Sequence, residues 1–265
     1  MKNNNISKSI LALACLASLG LSAQAQTAPA EPESTLAFNA GVVSEYRYRG
    51  ISQTRFQPAL QGGADYADKS GVYVGAWAST IKWLKDNSGV KGPVELDLYG
   101  GYKFPLGEVA MDVGYLRYEY VNNTYAKVSK NANTDEVYAA GTYGPFTLKY
   151  SYSLSNLFGQ YNSDTNKSTK GSTYLDLSAT FDLGDGYSLV PHAGKQTVAN
   201  ISAATYSDYA LALNKDLGNG LVLSATAYNT NAKIAGGYVV PNGHGSDTGK
   251  NTGKSAVVLG AKYTF

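Results

Sequence analysis

The sequence predicts an all-β chain that forms a transmembrane, antiparallel up-and-down β-barrel of about twelve strands. Three observations predict it: an export signal at the start, apolar and polar residues that alternate along twelve segments, and connections that are alternately short and long. We expect residues 1–25 to be a cleavable signal peptide, residues 26–34 a periplasmic linker and residues 35–265 the barrel.

The export signal has the three parts of a secretory signal peptide. Lys2 and Lys8 give a positive start, Ile10 to Leu21 form an apolar run, and Ala23-Gln24-Ala25 is a small-x-small cleavage site. The run is shorter than the roughly 20 residues that a membrane-spanning helix needs. Cys15, the single cysteine, lies inside it; lipoprotein cleavage at Cys15 is the alternative. Cleavage after Ala25 leaves no cysteine, so no disulfide forms.

The composition excludes one class of function and favours β-structure. Removing residues 1–25 takes away two lysines and no acids from the 22 basic and 20 acidic residues, so the mature chain is formally neutral. A nucleic-acid-binding protein is expected to carry a basic excess, so nucleic acid is not an expected partner. The 22 tyrosines and 29 glycines suit a chain that gains order from strand pairing.

The alternation begins at Leu36 and has period two, as expected for strands with one apolar face. In Leu36 to Arg49, apolar and aromatic residues take one parity and most polar residues the other. The twelve segments start near residues 36, 58, 72, 94, 108, 135, 146, 172, 187, 206, 221 and 255.

The connections alternate between short turns and long polar loops. Short ones such as Phe104 to Gly107 and Asp182 to Gly186 carry Gly, Pro or Asp, the residues of tight turns. Long ones such as Leu154–Gly171 and Thr230–Lys254 are rich in Asn, Ser, Thr and Lys. Membrane barrels have short periplasmic turns and long extracellular loops, which a soluble sandwich has no reason to copy.

The last segment ends on an aromatic residue. Val257, Leu259, Ala261, Tyr263 and Phe265 share one parity. This pattern is typical of the signal that the barrel-assembly machinery reads, so we expect that machinery to be a partner during biogenesis. Outer-membrane lipid and lipopolysaccharide are the other expected macromolecular surroundings.

The segment Asn39 to Gly63 resembles the TorF-type family of porins from proteobacterial outer membranes. The resemblance depends on Val43 to Gln53 (VSEYRYRGISQ), Pro58 to Gly62, the strand around Trp77, and Glu95 to Tyr102. It covers essentially the whole mature chain. It implies an outer-membrane pore and identifies no solute.

Charged residues that share the polar parity are candidates for the lumen. Glu45, Arg47 and Arg49 share one face of the expected first strand, and Tyr46 and Tyr48 share the other. We expect the three charged residues to face the lumen, because a charge facing mid-bilayer lipid costs roughly 2–4 kcal/mol. Arg47 and Arg49 could form a cationic step that favours anionic solutes, or simply belong to a salt-bridged lumen that selects nothing. Further acidic residues are expected to face inward as well: Glu95, Asp97, Asp112 and Asp176.

Four aromatic residues are expected to lie at the membrane interface rather than to stack on sugars: Tyr46, Tyr48, Trp77 and Trp83. We expect no metal and no cofactor. We also expect no catalytic residue, because neither His192 nor His244 has a serine fixed beside it in the sequence. Gly245 to Ser255 lacks the spacing of a phosphate-binding loop. Asp182 to Gly186 lacks the bidentate acid of a calcium loop.

These features favour a porin-like channel for the passive diffusion of small hydrophilic solutes. Twelve strands leave an interior narrower than that of 16–18-stranded porins, and an inward-folded loop could close it. The alternatives are an outer-membrane lipid hydrolase and an adhesin or receptor barrel with a closed lumen.

Overall fold

The computed structural model describes residues 34–86, 91–127, 130–233, 239–240 and 250–265. The expected signal peptide, His244 and residues 245–249 lie outside them. Twelve antiparallel strands form one closed barrel, which confirms the predicted fold class. They are β1 (Ser34–Val43), β2 (Ala59–Asp68), β3 (Val72–Thr80), β4 (Val94–Leu106), β5 (Val109–Tyr120), β6 (Thr134–Tyr143), β7 (Phe146–Ser153), β8 (Thr173–Ala179, continued by Phe181–Gly184), β9 (Tyr187–Thr197), β10 (Tyr206–Asp216), β11 (Leu221–Thr230) and β12 (Ala256–Thr264).

Each strand pairs with the next along the chain, and β12 pairs with β1 to close the ring. Asn39 lies opposite Thr264 and Val43 opposite Gly260. All short turns therefore lie at one end, the short-turn end, and all long connections at the other, the long-loop end. The long connections are L1 (44–58), L2 (81–93), L3 (121–133), L4 (154–172), L5 (198–205) and L6 (231–255).

The long connections contain the remaining regular structure. Four 3₁₀ helices span Trp83–Asp86, Tyr125–Lys127, Leu157–Gly159 and Ser202–Ala204. Three two-residue strand pairs join Arg47–Tyr48 to Ile51–Ser52, Tyr161–Asn162 to Lys167–Ser168, and Val239–Val240 to Lys250–Asn251. In the described parts of the chain, no helix is long and apolar enough to cross a membrane.

Aspartates shape three of the short turns. The side chain of Asp182 accepts a hydrogen bond from the backbone N–H of Gly184 at 2.9 Å. The same contact, two residues along the chain, recurs at Asp68 and at Asp216. Asx turns of this kind fix a tight reversal, which is the structure that the sequence predicts for Asp182 to Gly186.

The two faces of the barrel differ as the alternation predicts. Large apolar side chains cover the outer face; Leu60 and Val257, for example, are each 67% exposed. Leu259, Ala261, Tyr263 and Phe265 share the outward parity of Val257. The inner face carries charged residues and tyrosines, so the barrel is apolar outside and polar inside.

Tyrosine rings fit onto glycines along the inner wall. A Cβ atom at Gly101 would lie 2.5 Å from the hydroxyl of Tyr73, and one at Gly114 would lie 2.5 Å from the hydroxyl of Tyr138. Only glycine leaves room for a ring at such a position. The glycine content thus lets large side chains lie flat against the wall.

Candidate functional site in the barrel lumen

The loop L1 folds into the lumen directly after β1. We expected the first strand to continue to Arg49, but β1 ends at Val43 and the chain then forms the hairpin of Arg47–Tyr48 and Ile51–Ser52. Arg49 (φ 46°) and Gly50 (φ 75°) make the turn of this hairpin. A Cβ atom at Gly50 would lie 2.8 Å from Cβ of Asp208 on β10, so the turn touches the barrel wall.

Arg49 reaches the wall on the far side of the barrel from β1. Its Nη2 lies 2.7 Å from Oε2 of Glu136 on β6, and its Nη1 donates to Oε1 of the same carboxylate at 3.1 Å. Nη1 also donates to Gln196 on β9 at 2.7 Å. The guanidinium carbon lies 4.2 Å from the ring centroid of Tyr174 on β8. In a ring of twelve strands, β6 to β9 are opposite β1, so L1 crosses the lumen.

The pair of Arg49 and Glu136 is buried and bidentate. The two side chains are 6% and 3% exposed. Burial alone would lower the pKa of Arg49, but Glu136, Tyr48 and Tyr118 raise it above its usual value. Both groups therefore stay charged. Their bidentate pairing is the geometry in which arginine binds a carboxylate most strongly.

The second arginine is held within L1 and by L6. Nε of Arg47 lies 3.0 Å from Oε1 of Glu45, and Nη1 donates to the backbone oxygens of Gly50 at 2.9 Å and Lys254 at 2.7 Å. Arg47 is only 2% exposed. Both arginines are thus inside the barrel, but on an inserted loop rather than on a strand, and each is compensated by a carboxylate.

The four residues expected at the membrane interface lie inside the barrel instead. Tyr46 packs edge-on against Trp77 with ring centroids 5.4 Å apart, and Trp83 packs against Tyr120 at 5.2 Å. Tyr48 packs against Tyr118 and Phe158. The expectation was wrong because inward-folded loops give these rings an apolar cluster of their own. This cluster joins L1 to L2, L3 and L4.

Other aromatic side chains cover the outer face near the short-turn end. They are at least 39% exposed and lie near the ends of their strands. This set comprises Tyr66, Tyr102, Tyr143, Phe146, Phe181, Tyr187, Tyr263 and Phe265.

The predicted acidic residues face the lumen, and tyrosine hydroxyls satisfy several of them. Tyr46 donates to Glu95 at 2.7 Å, and Tyr73 donates to Asp112 at 2.6 Å. Asp97 lies two residues beyond Glu95 on β4 and is 5% exposed. The inner tyrosines therefore fix carboxylates in place.

His192 belongs to a polar cluster on β8, β9 and β10. Its Nε2 lies 3.2 Å from Oδ2 of Asp176, and its Nδ1 lies 3.6 Å from Oδ1 of Asp208. The hydroxyl of Tyr174 lies 3.2 Å from Nε2. In the described residues these neighbours are carboxylates and a phenol, with no serine among the hydrogen-bond partners of His192. The cluster places a histidine between two carboxylates on the inner wall.

The sequence did not indicate the wall residues that contact L1, namely Glu136, Tyr174, Gln196, Tyr206 and Asp208. Tyr206, for example, donates to the backbone oxygen of Arg49 at 2.9 Å. Parity could have found the two acids, because Glu136 shares its parity with Tyr138, and Asp208 with Ala210, on the inward faces of β6 and β10. Nothing local indicates that they bind L1.

The fold is that of outer-membrane porins. The structure described as the KdgM porin in complex with disordered oligogalacturonate matches with a TM-score of 0.50 at 8% identity, covering 88% of this chain and 99% of that chain. The NanC porin matches with a TM-score of 0.50 at 10% identity, covering 87% and 99%. These likenesses show the fold.

The chain itself belongs to the Gcw_chp family, described as bacterial proteins of unknown function, whose model matches residues 26–265. No curated protein matches it significantly.

Proposed function

We propose that this protein is an outer-membrane channel for the passive diffusion of small hydrophilic solutes, narrowed at its outer mouth by L1. The observation that carries the proposal is a charged loop that crosses the lumen of a barrel with a polar inner face. A barrel with an apolar exterior suits lipid, and a polar interior suits water and solutes. In this arrangement the long-loop end is extracellular and the short-turn end is periplasmic.

We also propose how the protein reaches the outer membrane. Residues 1–25 direct export, the barrel-assembly machinery inserts the barrel, and lipid with lipopolysaccharide surrounds it. The likeness of the fold to porins supports a non-enzymatic role.

Planar-bilayer recording of the purified, folded protein tests the channel. We expect small stepwise conductances, since twelve strands enclose less space than the 16–18 of general porins and L1 occupies part of it. Liposomes that contain the protein should swell in small sugars and not in larger oligosaccharides, with empty liposomes as the control. Folded protein without conductance steps would contradict the channel and favour a receptor barrel with a closed lumen.

A further inference from the structure

Exposed charges at the long-loop end are predominantly basic. Among the residues whose side chains the structure describes, nine exposed lysines lie there, against one exposed acid, Asp164. The lysines are Lys82, Lys85, Lys91, Lys130, Lys167, Lys170, Lys195, Lys233 and Lys254. Half-buried Glu119 and Asp135 at the same end are both bound to Arg117, at 2.7 and 3.0 Å. Lys195 lies on the outward face of β9, and we call the other eight residues the lysine ring.

The short-turn end has the opposite balance. Its exposed or half-exposed acids are Asp68, Glu108, Asp182, Asp185 and Asp216. Its basic residues among those described are exposed Lys69 and half-buried Lys215 and Lys262, and Nζ of Lys215 lies 4.1 Å from the ring centroid of Tyr187. A mature chain that is neutral as a whole is therefore polarised along the barrel axis.

Two members of the lysine ring adjoin L1. Nζ of Lys254 lies 4.5 Å from the ring centroid of Phe56 in L1. The backbone N–H of Lys82 donates to the backbone oxygen of Gln53 in L1 at 2.9 Å. Positive charge thus lies beside the loop at the long-loop end, where an arriving solute first meets L1.

The lumen wall below L1 lacks such an excess of one sign. Lys103 on β4 lies opposite Asp112 on β5, and Lys149 on β7 lies opposite Asp176 on β8. Opposite charges on neighbouring strands largely cancel at a distance. The two arginines of L1 are compensated by Glu45 and Glu136. Glu95 and Asp97 also lie at the level of L1, but they are only 2% and 5% exposed and so are shielded from a passing solute. A preference for one sign of charge is therefore expected to arise at the mouth.

We propose that the lysine ring attracts small anionic solutes to the outer mouth, so that anions pass in preference to cations. This inference rests on the proposed channel function and names its solute class. A mouth lined by one sign of charge raises the local concentration of the opposite ion. The Debye length is about 8 Å at physiological ionic strength and about 3 Å at 1 M, so the preference fades in concentrated salt.

The test compares two charge reversals of equal size at opposite ends. Lys82→Glu with Lys170→Glu alters the lysine ring, and Lys69→Glu with Lys215→Glu is the matched control at the short-turn end. The measurement is the zero-current potential in a KCl gradient with the dilute solution on the long-loop side. We expect the wild type to prefer chloride over potassium, and K82E/K170E to lower that ratio at least about threefold, while the control stays near the wild type.

The possible results distinguish a failure of the selectivity inference from a failure of the proposed channel function. A wild-type preference for potassium, or equal ratios in the wild type and K82E/K170E, would overturn the inference and leave the channel intact. Equal ratios combined with a loss of heat stability in lipopolysaccharide would assign the lysines to lipopolysaccharide phosphates instead. Absence of conductance from all three folded proteins would overturn the channel itself and the inference with it.

Discussion

At the scale of single residues, Arg49 makes the contacts that bind L1 to the far wall of the barrel. Its side chain binds Glu136 and Gln196 and stacks on Tyr174, and its backbone oxygen accepts from Tyr206. These partners lie on β6, β9, β8 and β10. Arg49 therefore ties L1 to four strands of the far wall.

Replacing Arg49 with glutamine should release L1 from the far wall. Removing one partner of a buried ion pair costs about 3–5 kcal/mol, because the other charge stays buried and unpaired. We expect Arg49→Gln to raise the mean conductance and to add flicker as L1 moves, measured by single-channel recording. Arg49→Gln with Glu136→Gln removes both charges and should lie closer to the wild type. An R49Q channel with wild-type conductance would show that the aromatic cluster alone holds L1.

The sequence left two interpretations of Arg47 and Arg49 open, a cationic step or a salt-bridged lumen. The observed contacts favour the second, because Glu45 and Glu136 compensate them. The alternation of apolar and polar residues could not show that these arginines leave the strand. The segment Arg47–Tyr48 keeps the period-two pattern of β1, although β1 has already ended at Val43. The change of direction depends on partners such as Gln196, far away in the sequence, that no local pattern reveals.

At the scale of elements, the sequence predicted the strands well because their signals are local. Period-two alternation and turn residues locate each strand, and every expected start lies within two residues of the observed one. The long loops were harder, since their polar composition does not distinguish an exposed loop from one that packs inward. The four aromatic residues assigned to the membrane interface were misplaced for this reason.

Deleting Phe265 should impair folding of the barrel much more than deleting one residue of L4. Phe265 and Phe38 exchange two backbone hydrogen bonds of 2.9 Å and stack at 6.0 Å, so the deletion removes contacts at the seam between β12 and β1. The heat-modifiable gel shift of membrane fractions measures the folded fraction. Deletion of Asp164, which is exposed in L4, is the matched control. Equal folded fractions for the two deletions would remove Phe265 from the proposed assembly signal.

At the scale of the whole molecule, the two ends of the barrel make the orientation testable. Peptide tags inserted within 156–170 should be reached by antibody on intact cells. Tags at Gly184 or Gly218 should be reached only after the outer membrane is opened. A Cβ atom at either glycine meets nothing within 4 Å, so these turns should tolerate the insertion. The reverse pattern of access would mean that the assigned polarity is wrong.

L1 also has a mechanical consequence. A closed ring of strands has no direct contact between its opposite walls unless a segment crosses the interior. L1 leaves the ring at β1 and is tied to β6, β8, β9 and β10 by Arg49 and Tyr206. It therefore cross-links opposite walls of the ring, so that the distance between these walls is tied to the contacts of a single loop.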